Sequence, residues 1–355
     1  MTPASLLLVI TRRIGDVLLT TALIRSLHQA WPQARIGVLV FEGTEGVLCG
    51  NPDIDHILTI AERPSRRAHF AFIRKLWRRY DLALSVLPGD RPTFYAWAAG
   101  KYRVGTLHPN RASWWKTRLL NHFVPFDDAD THTVAMALRV GQWLDIPLLT
   151  HAVPPSADLP EHLQLERPFA ALHPYPKFNY KMWNETNWIE LAQTLRTRGL
   201  HVLLTGGPDA AEVACCARIA GACGATSLAG QLSLGQTGTL LRQASLFVGP
   251  DTAVTHIAAA TGIPTVALFG PTNPVKWGPW PADWSTLESP WQRVGSTRQG
   301  NVFLLQGVGD CVPCHLEGCD RNESSFSRCL QDIPLARVME AIEALIGARA
   351  PGTSE

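Results

Sequence analysis

The sequence lacks any long apolar run. Its first apolar segment, Leu6 to Ile10, has five residues and ends at Thr11-Arg12-Arg13. A signal peptide needs a basic start and a longer apolar core, and a membrane-spanning helix needs about 20 apolar residues. We therefore expect a cytoplasmic protein whose thiols are reduced.

The sequence also lacks a Gly-x-Gly-x-x-Gly turn after any strand-like run. That turn is the fingerprint of dinucleotide binding, so its absence argues against a dinucleotide-dependent oxidoreductase. At 355 residues, with 46% hydrophobic and 17% charged content, the chain is longer than one ordinary domain needs. Two cores of this size require no disulfide framework.

Eight cysteines are present, and four of them lie close together at Cys311, Cys314, Cys319 and Cys329. Four thiolates at short spacing can hold a tetrahedral zinc or an iron–sulfur cluster. This spacing matches no standard zinc pattern, so reduced loop cysteines or stress-formed disulfides remain the alternative. We assign neither a metal nor a cofactor to the active site.

A strand-like run, a small-residue loop and a helical stretch alternate along the chain, which is typical of parallel sheets with helices on both faces. A Pro-rich segment between about Leu149 and Pro168 interrupts the pattern, which then restarts. We predict an α/β fold with two Rossmann-like, doubly wound parallel-sheet domains, over residues 1–155 and 165–333. A last helix spans 334–349.

Basic residues are concentrated between Arg63 and Arg118, where tryptophans are interleaved with them. Such a surface attracts anions such as nucleic acid, anionic lipid headgroups or a phosphorylated acceptor. A solvated basic face without a specific partner is the alternative. The basic residues are Arg63, Arg66, Arg67, Arg74, Lys75, Arg78, Arg79, Arg91, Lys101, Arg103, Arg111, Lys116 and Arg118.

The first candidate site is the strand-to-helix turn from Arg12 to Thr21. Ligands of open α/β sheets collect outside the carboxyl ends of strands, where this turn is expected. Asp16 is a candidate general base that takes a proton from an attacking hydroxyl, and a helix N-terminus favours its ionised form. The alternative is that Asp16 only caps the helix.

The second candidate site is the turn from Gly249 to Ala260. We predict Asp251 as the helix N-cap and a helix from Thr252 to Thr261. Backbone amides at the helix start could hold a diphosphate, and His256 lies one turn further on. A histidine at this position is also common as a packed core residue. The amides are those of Thr252, Ala253 and Val254.

Two further charged residues are candidates for donor binding. Lys181, in the loop after the strand Phe169–Leu172, could neutralise the charge on a departing nucleoside diphosphate. Glu212, near the start of a helix, could accept hydrogen bonds from a ribose diol. A surface lysine and a stabilised helix terminus are the respective alternatives.

These segments together resemble the bacterial lipopolysaccharide heptosyltransferases of glycosyltransferase family nine. The similarity runs in order over nearly the whole chain. It includes the segments Arg12 to Leu23, Asn51 to Asp55, His132, Lys181 to Trp183, Asp251 to Ala260 and Phe269 to Pro274. The sequence departs from the family pattern at Ala253, at Asn184 and in the loop His173 to Pro176.

The resemblance implies a GT-B architecture, with an acceptor-binding N-terminal domain, a donor-binding C-terminal domain, a central cleft and a final helix that returns across it. It implies inverting, metal-independent transfer from an ADP-linked sugar, typically heptose, to lipopolysaccharide inner core at the inner face of a membrane. Asp16 would be the base and Lys181 would contact the donor phosphates. Arg13, Gly15 and Thr20 would bind the acceptor, while Glu212 and the segment Asp251 to His256 would bind the donor.

Three alternatives stay open at this point. One is a transferase of the same fold with another donor or acceptor. Another is a sugar-nucleotide epimerase, which shares the two-domain organisation. The third is a non-catalytic basic adaptor for membrane or nucleic acid, whose binding would depend strongly on salt.

Overall fold

The computed structural model describes residues 2–110, 113–127 and 129–347. Arg111 and the last two residues of the predicted helix 334–349 lie outside this part of the chain. The described residues divide into two compact units. Unit 1 holds the residues up to Val153 together with Ser285–Ser289, and unit 2 begins at Pro154 and holds the remainder.

Unit 1 is built on a six-stranded sheet in which every paired strand is parallel, in the order β3-β2-β1-β4-β5-β6. Its strands are β1 (Ser5–Ile10), β2 (Arg35–Phe41), β3 (His56–Ile60), β4 (Tyr80–Ser85), β5 (Gly100–Leu107) and β6 (His122–Pro125). Its helices are α1 (Ile14–Ala30), α2 (Arg66–Leu76), α3 (Asp90–Ala99), α4 (Trp114–Leu119) and α5 (Thr133–Trp143).

Two helical layers cover this sheet. Parallel crossovers are almost always right-handed, so connections that run in opposite directions along the sheet lie on opposite faces. Accordingly α1 packs against α5, whereas α3 packs between α2 and α4. The central strand β1 is apolar and fully buried from Leu6 to Ile10, as expected for a strand covered on both faces.

Unit 2 is built on a seven-stranded sheet in the order β12-β13-β11-β10-β7-β8-β9, parallel except for the edge pair β12–β13. Its strands are β7 (Phe169–Leu172), β8 (His201–Leu204), β9 (Thr226–Ser227), β10 (Leu246–Pro250), β11 (Thr265–Phe269), β12 (Thr297–Gln299) and β13 (Val302–Gln306). Its helices are α6 (Glu185–Thr197), α7 (Ala210–Cys223), α8 (Leu234–Leu241), α9 (Ala253–Thr261), α10 (Pro274–Trp277), α11 (Arg328–Gln331) and α12 (Leu335–Ile346).

The core of unit 2 joins its sheet to α6, α7 and α12. Trp183 and Trp188 are its largest side chains, both buried, with their rings edge to face at 5.0 Å. The last helix α12 contacts β13, β11 and α6 and belongs to unit 2. Its predicted return across a cleft stays a prediction.

The flanking residues define where two helices of unit 2 begin. Helix α6 begins at Glu185, and the Asn184 side chain caps it by accepting a hydrogen bond from the Thr186 amide. Helix α12 begins at Leu335, with Pro334 as its N-cap rather than its first residue. In the described part of the chain, no helix has the length and apolar character needed to cross a bilayer.

Candidate functional site

The sheet of unit 2 reverses its strand order between β10 and β7, which are hydrogen-bonded neighbours. In open α/β sheets, ligands bind outside the carboxyl ends of the strands at such a switch point. The chain leaves β10 at Asp251 and leaves β7 at His173. The predicted donor residues Lys181 and Asp251 therefore belong to the two loops that border this point.

Lys181 and Asp251 form an ion pair at the switch point. The Lys181 Nζ lies 2.6 Å from Asp251 Oδ2, and the two side chains are 18% and 8% exposed. Burial alone would raise the pKa of Asp251. The charge of Lys181, the neighbouring His256 and hydrogen bonds from Lys181 and Thr272 outweigh the effect of burial, so the pKa of Asp251 is lowered. The site thus holds a positioned cation beside a carboxylate that stays ionised.

The start of α9 lies directly after Asp251, but the N-cap is Thr252 rather than the predicted Asp251. The Thr252 hydroxyl accepts from the Thr255 amide, while the Asp251 carboxylate is committed to Lys181. The amides of Ala253 and Val254 have no protein acceptor within the described residues. Helix N-termini of this kind attract phosphate groups through their amides and dipole.

His256 completes the cluster from the first turn of α9. It is 6% exposed, and its Nε2 lies 4.0 Å from Asp251 Oδ1. Burial lowers its pKa to about 4, against the opposing effect of Asp251. Its other ring nitrogen, Nδ1, is buried without a hydrogen-bond partner in the described structure. The imidazole is therefore neutral near pH 7, with one buried nitrogen unpaired in the described structure.

Glu212 lies in the first turn of α7, the helix that follows β8. Burial raises the pKa of its carboxyl group, and a hydrogen bond from the Gly207 backbone opposes this shift. No hydrogen bond or ion pair in the described structure joins Glu212 to Lys181, Asp251 or His256.

His173 was not predicted from the sequence. It follows β7 directly, is 5% exposed, and directs its Nδ1 at the Thr205 carbonyl and hydroxyl oxygens at 3.1 Å. Burial lowers its pKa to about 4, so it is neutral near pH 7. Its position after a strand that neighbours β10 is the signal that could have identified it.

The loop that carries Lys181 is fixed from a distant part of the chain. Residues 179–183 are hydrogen-bonded to residues 324–333, a contact we name the brace. Its bonds run from Asn179 Nδ2 to Ser324 O at 3.1 Å, from Ser327 Oγ to Tyr180 O at 2.7 Å, from Gln331 Nε2 to Met182 O at 2.7 Å and from Trp183 Nε1 to Ile333 O at 2.8 Å. The backbone carbonyls on both sides of Lys181, those of Tyr180 and Met182, are therefore held in place.

The predicted base lies in unit 1, at the switch point between β1 and β4. Asp16 is in the first turn of α1 and 8% exposed. Arg13 occupies the N-cap position of this helix, and Asp16 lies three residues further on. On the other side of the switch point, Arg12 donates to the carbonyl of Pro88.

The predicted acceptor residues fall into two groups. Arg13 is exposed and Gly15 is partly exposed, so both are accessible at the start of α1. Thr20 is fully buried, and its hydroxyl donates to the Asp16 carbonyl at 2.8 Å. This geometry does not favour an acceptor contact for Thr20.

The eight cysteines are all free. Burial, and then the neighbouring Cys314, Cys311 and Cys319, raise the pKa of Cys329 to about 11. Among residues 2–110, 113–127 and 129–347, no group of three or more His, Cys, Asp or Glu side chains is arranged to hold a metal ion. Cys215, Cys216 and Cys223 are buried in α7.

Comparisons with known proteins agree with this organisation. Lipopolysaccharide heptosyltransferase 3 of Escherichia coli is 27% identical over 360 residues, covering 96% of this chain and 98% of that protein. Among solved structures, a family 9 glycosyl transferase from Veillonella parvula superposes with a TM-score of 0.75 at 17% identity, covering 97% of both chains.

The structure of E. coli ADP-heptose lps heptosyltransferase II superposes with a TM-score of 0.72 at 22% identity, covering 98% of this chain and all of that one. These likenesses confirm the predicted GT-B fold with its two Rossmann-like parallel-sheet domains. The model of glycosyltransferase family 9 (heptosyltransferase) matches residues 100–300. The chain is therefore a glycosyltransferase and belongs to glycosyltransferase family 9, the heptosyltransferases.

Proposed function

We propose that this protein transfers heptose from ADP-heptose to a hydroxyl group of lipopolysaccharide inner core, with inversion at the anomeric carbon and without a metal ion. Two relatives are named for parts of this reaction. One is called lipopolysaccharide heptosyltransferase 3, and the other ADP-heptose lps heptosyltransferase II. Both are matched over nearly their whole length.

The observation that carries the donor half is the Lys181–Asp251 pair beside the start of α9. In the proposal, the amides of Ala253 and Val254 bind a phosphate of the donor, and Lys181 stabilises the charge that develops on departing ADP. A lysine and a helix N-terminus together supply positive charge at the departing phosphates. Glu212 accepts hydrogen bonds from the ribose, and His256 supplies a further contact to the donor.

Asp16 is the proposed general base. The acceptor oxygen forms a bond to the anomeric carbon, the bond from that carbon to the phosphate oxygen breaks, and ADP leaves with the electron pair. The hydroxyl proton passes to the Asp16 carboxylate. Attack from the face opposite the leaving group inverts the anomeric centre. A weak base suffices when the sugar has oxocarbenium character before the proton moves.

The acceptor in this proposal is an anionic glycolipid. Arg13 and Gly15 at the start of α1 are accessible to it, whereas an acceptor contact of the buried Thr20 stays a prediction. We place the reaction in the cytoplasm at the inner face of the inner membrane, with the protein associated peripherally. Nucleic acid is not a proposed partner.

The test combines donor binding with acceptor-dependent ADP release. Asp16→Asn should lower the transfer rate at least about 100-fold, as expected for loss of a general base, while ADP affinity measured by calorimetry stays within about twofold. Asp130→Asn, at an exposed position of unit 1, is the matched control and should keep full activity. Unchanged transfer by Asp16→Asn would reject its role. ADP release blocked by EDTA would reject metal independence, and release without acceptor would favour hydrolysis or epimerisation.

A further inference from the structure

The outer face of α2 carries arginines around an exposed aromatic ring. From Arg63 to Arg79 the chain has seven Arg and Lys residues and no Asp or Glu. Phe72, Ile73 and Leu76 pack into the core of unit 1. Phe70 points the other way and is 72% exposed. At helical spacing, Arg67 lies one turn before Phe70 and Arg74 one turn after it.

A second aromatic and cationic group lies in the same helical layer. Helix α3 contacts both α2 and α4. On α4, Trp114 is 69% exposed and Arg118 lies over its ring at 5.0 Å. Lys116 of α4 forms an ion pair with Asp90 of α3 at 2.6 Å, which links these two helices. The layer thus presents apolar rings and cations toward solvent from two of its three helices.

In the part of the chain that the structure describes, the basic side chains of α2 have no acidic partners. Within the described residues, Arg67, Arg74 and Lys75 form no ion pair with an acidic side chain. A helix with a basic face and exposed aromatic residues binds at the interface of an anionic membrane, where the rings enter the headgroup boundary. Long basic side chains keep their charges among the headgroups.

The geometry of the tryptophan rings favours lipid over nucleic acid. Single-stranded nucleic acid needs open ring faces on which bases stack. One face of Trp114 is covered by Arg118, and Trp77 meets Trp97 at an interplanar angle of 78° with Arg78 at 5.5 Å. Insertion into a lipid interface requires only exposed apolar area flanked by cations.

We propose that the outer face of α2 and α4, with Phe70 and Trp114 inserted and Arg67 and Arg74 on phosphate headgroups, docks unit 1 on an anionic phospholipid surface. This inference rests on the proposed function, in which the acceptor is a glycolipid in the membrane. Both helices start from the carboxyl edge of the sheet, the edge where Asp16 lies. A lipid-anchored acceptor would then meet the catalytic edge of unit 1.

The experiment is co-sedimentation of the full chain with vesicles of phosphatidylcholine, with and without phosphatidylglycerol. The wild type should bind the anionic vesicles only, and binding should weaken with salt. Arg67→Glu/Arg74→Glu should weaken binding at least about tenfold, given several-fold per basic residue. Arg25→Glu/Arg35→Glu, at exposed positions of unit 1, changes the net charge equally and should bind as the wild type.

The contribution of the exposed aromatic ring to vesicle binding is tested with a second pair of variants. Phe70→Ser should weaken vesicle binding several-fold, whereas Phe326→Ser, at a ring 48% exposed in unit 2, should leave it unchanged. Circular dichroism and thermal unfolding establish that each variant is folded. Equal losses in test and control variants, or no binding to anionic vesicles, would overturn the proposal. So would single-stranded RNA that displaces the protein from vesicles.

Failure here is distinguishable from failure of the proposed function. Heptose transfer to a deacylated, water-soluble acceptor needs no lipid surface. A protein that transfers heptose to that acceptor but ignores vesicles keeps the proposed function and loses the docking surface. A protein that binds vesicles through Arg67 and Arg74 but releases no ADP with any acceptor loses the proposed function alone.

Discussion

Lys181 is positioned by two partners of different kinds. Its charge is paired with Asp251 at 2.6 Å, and its backbone neighbours are fixed by the brace. The sequence suggested Lys181 as a phosphate contact because it follows a strand. It could not indicate the pairing with Asp251, which is 70 residues away. The ion-pair partner of Lys181 is therefore set by a tertiary contact and not by the local sequence.

We expect Lys181→Met to weaken ADP binding about 10- to 100-fold, since a charge-assisted hydrogen bond contributes about 1.5–3 kcal/mol. The variant also leaves the buried Asp251 carboxylate without its cation. Calorimetric titration with ADP measures the effect. Lys177→Met, at an exposed position of the same loop, should bind ADP like the wild type. Equal losses in both variants would show a general loop effect.

Two buried histidines should make unit 2 sensitive to acid. His173 and His256 have pKa values of about 4 in the folded protein, against about 6.5 in an unfolded chain. Between these values the unfolded chain binds more protons, so stability is complete above about pH 6.5 and falls as the pH drops toward 4.

Each histidine accounts for up to about 3 kcal/mol of this loss, at 1.36 kcal/mol per pKa unit. Urea unfolding of the wild type and of His173→Gln at pH 7 and pH 4.5 measures this loss of stability. The variant should lose less stability on acidification than the wild type. His162→Gln, at an exposed position, should follow the wild type. Parallel pH profiles for all three proteins would contradict the assignment.

At the scale of elements, strand and helix order followed from the sequence, whereas several element starts did not. Both Asp251 and Thr252 are good N-cap residues. The cap belongs to Thr252 because Asp251 is occupied by Lys181. The end of α9 was predictable, since Gly262 stops the helix with φ +83°. The end of α9 is thus set by a local residue, Gly262, whereas its start depends on the distant contact between Lys181 and Asp251.

Gly262 provides a prediction for α9. A Cβ atom there would meet only Ala282 at 3.7 Å, so Gly262→Ala should be destabilising through backbone strain alone, by about 1 kcal/mol. Gly221→Ala, inside α7 where a Cβ atom meets nothing within 4 Å, should stabilise by about 0.5–1 kcal/mol. Urea midpoints measure both. The same sign for the two substitutions would contradict the argument.

At the scale of the whole molecule, two α/β units with separate sheets and cores were predictable from the repeated strand and helix pattern. The positions of Asp16 in unit 1 and of the Lys181 cluster in unit 2 were also predictable, because both follow strands. The contacts of His173 and the brace were not. They join residues 32 and about 145–150 positions apart, and no local pattern encodes such pairs.

The proposed division of labour between units has a direct test. ADP at about 100 times its dissociation constant should stabilise the native state by about 2.7 kcal/mol. Hydrogen exchange by mass spectrometry should show slower exchange in unit 2, in peptides covering 173–181, 206–212 and 251–256. Peptides of unit 1, including the start of α1, should exchange as before. Protection confined to unit 1 would reverse the assignment of the donor.

The brace sets a rule for recombination between members of this family. Its two halves, residues 179–183 and 324–333, come from distant parts of the chain but form one support for Lys181. A crossover between residues 184 and 323 would pair the lysine loop of one parent with the supporting segment of the other. Chimeras intended to exchange donor preference should therefore inherit both halves from the same parent.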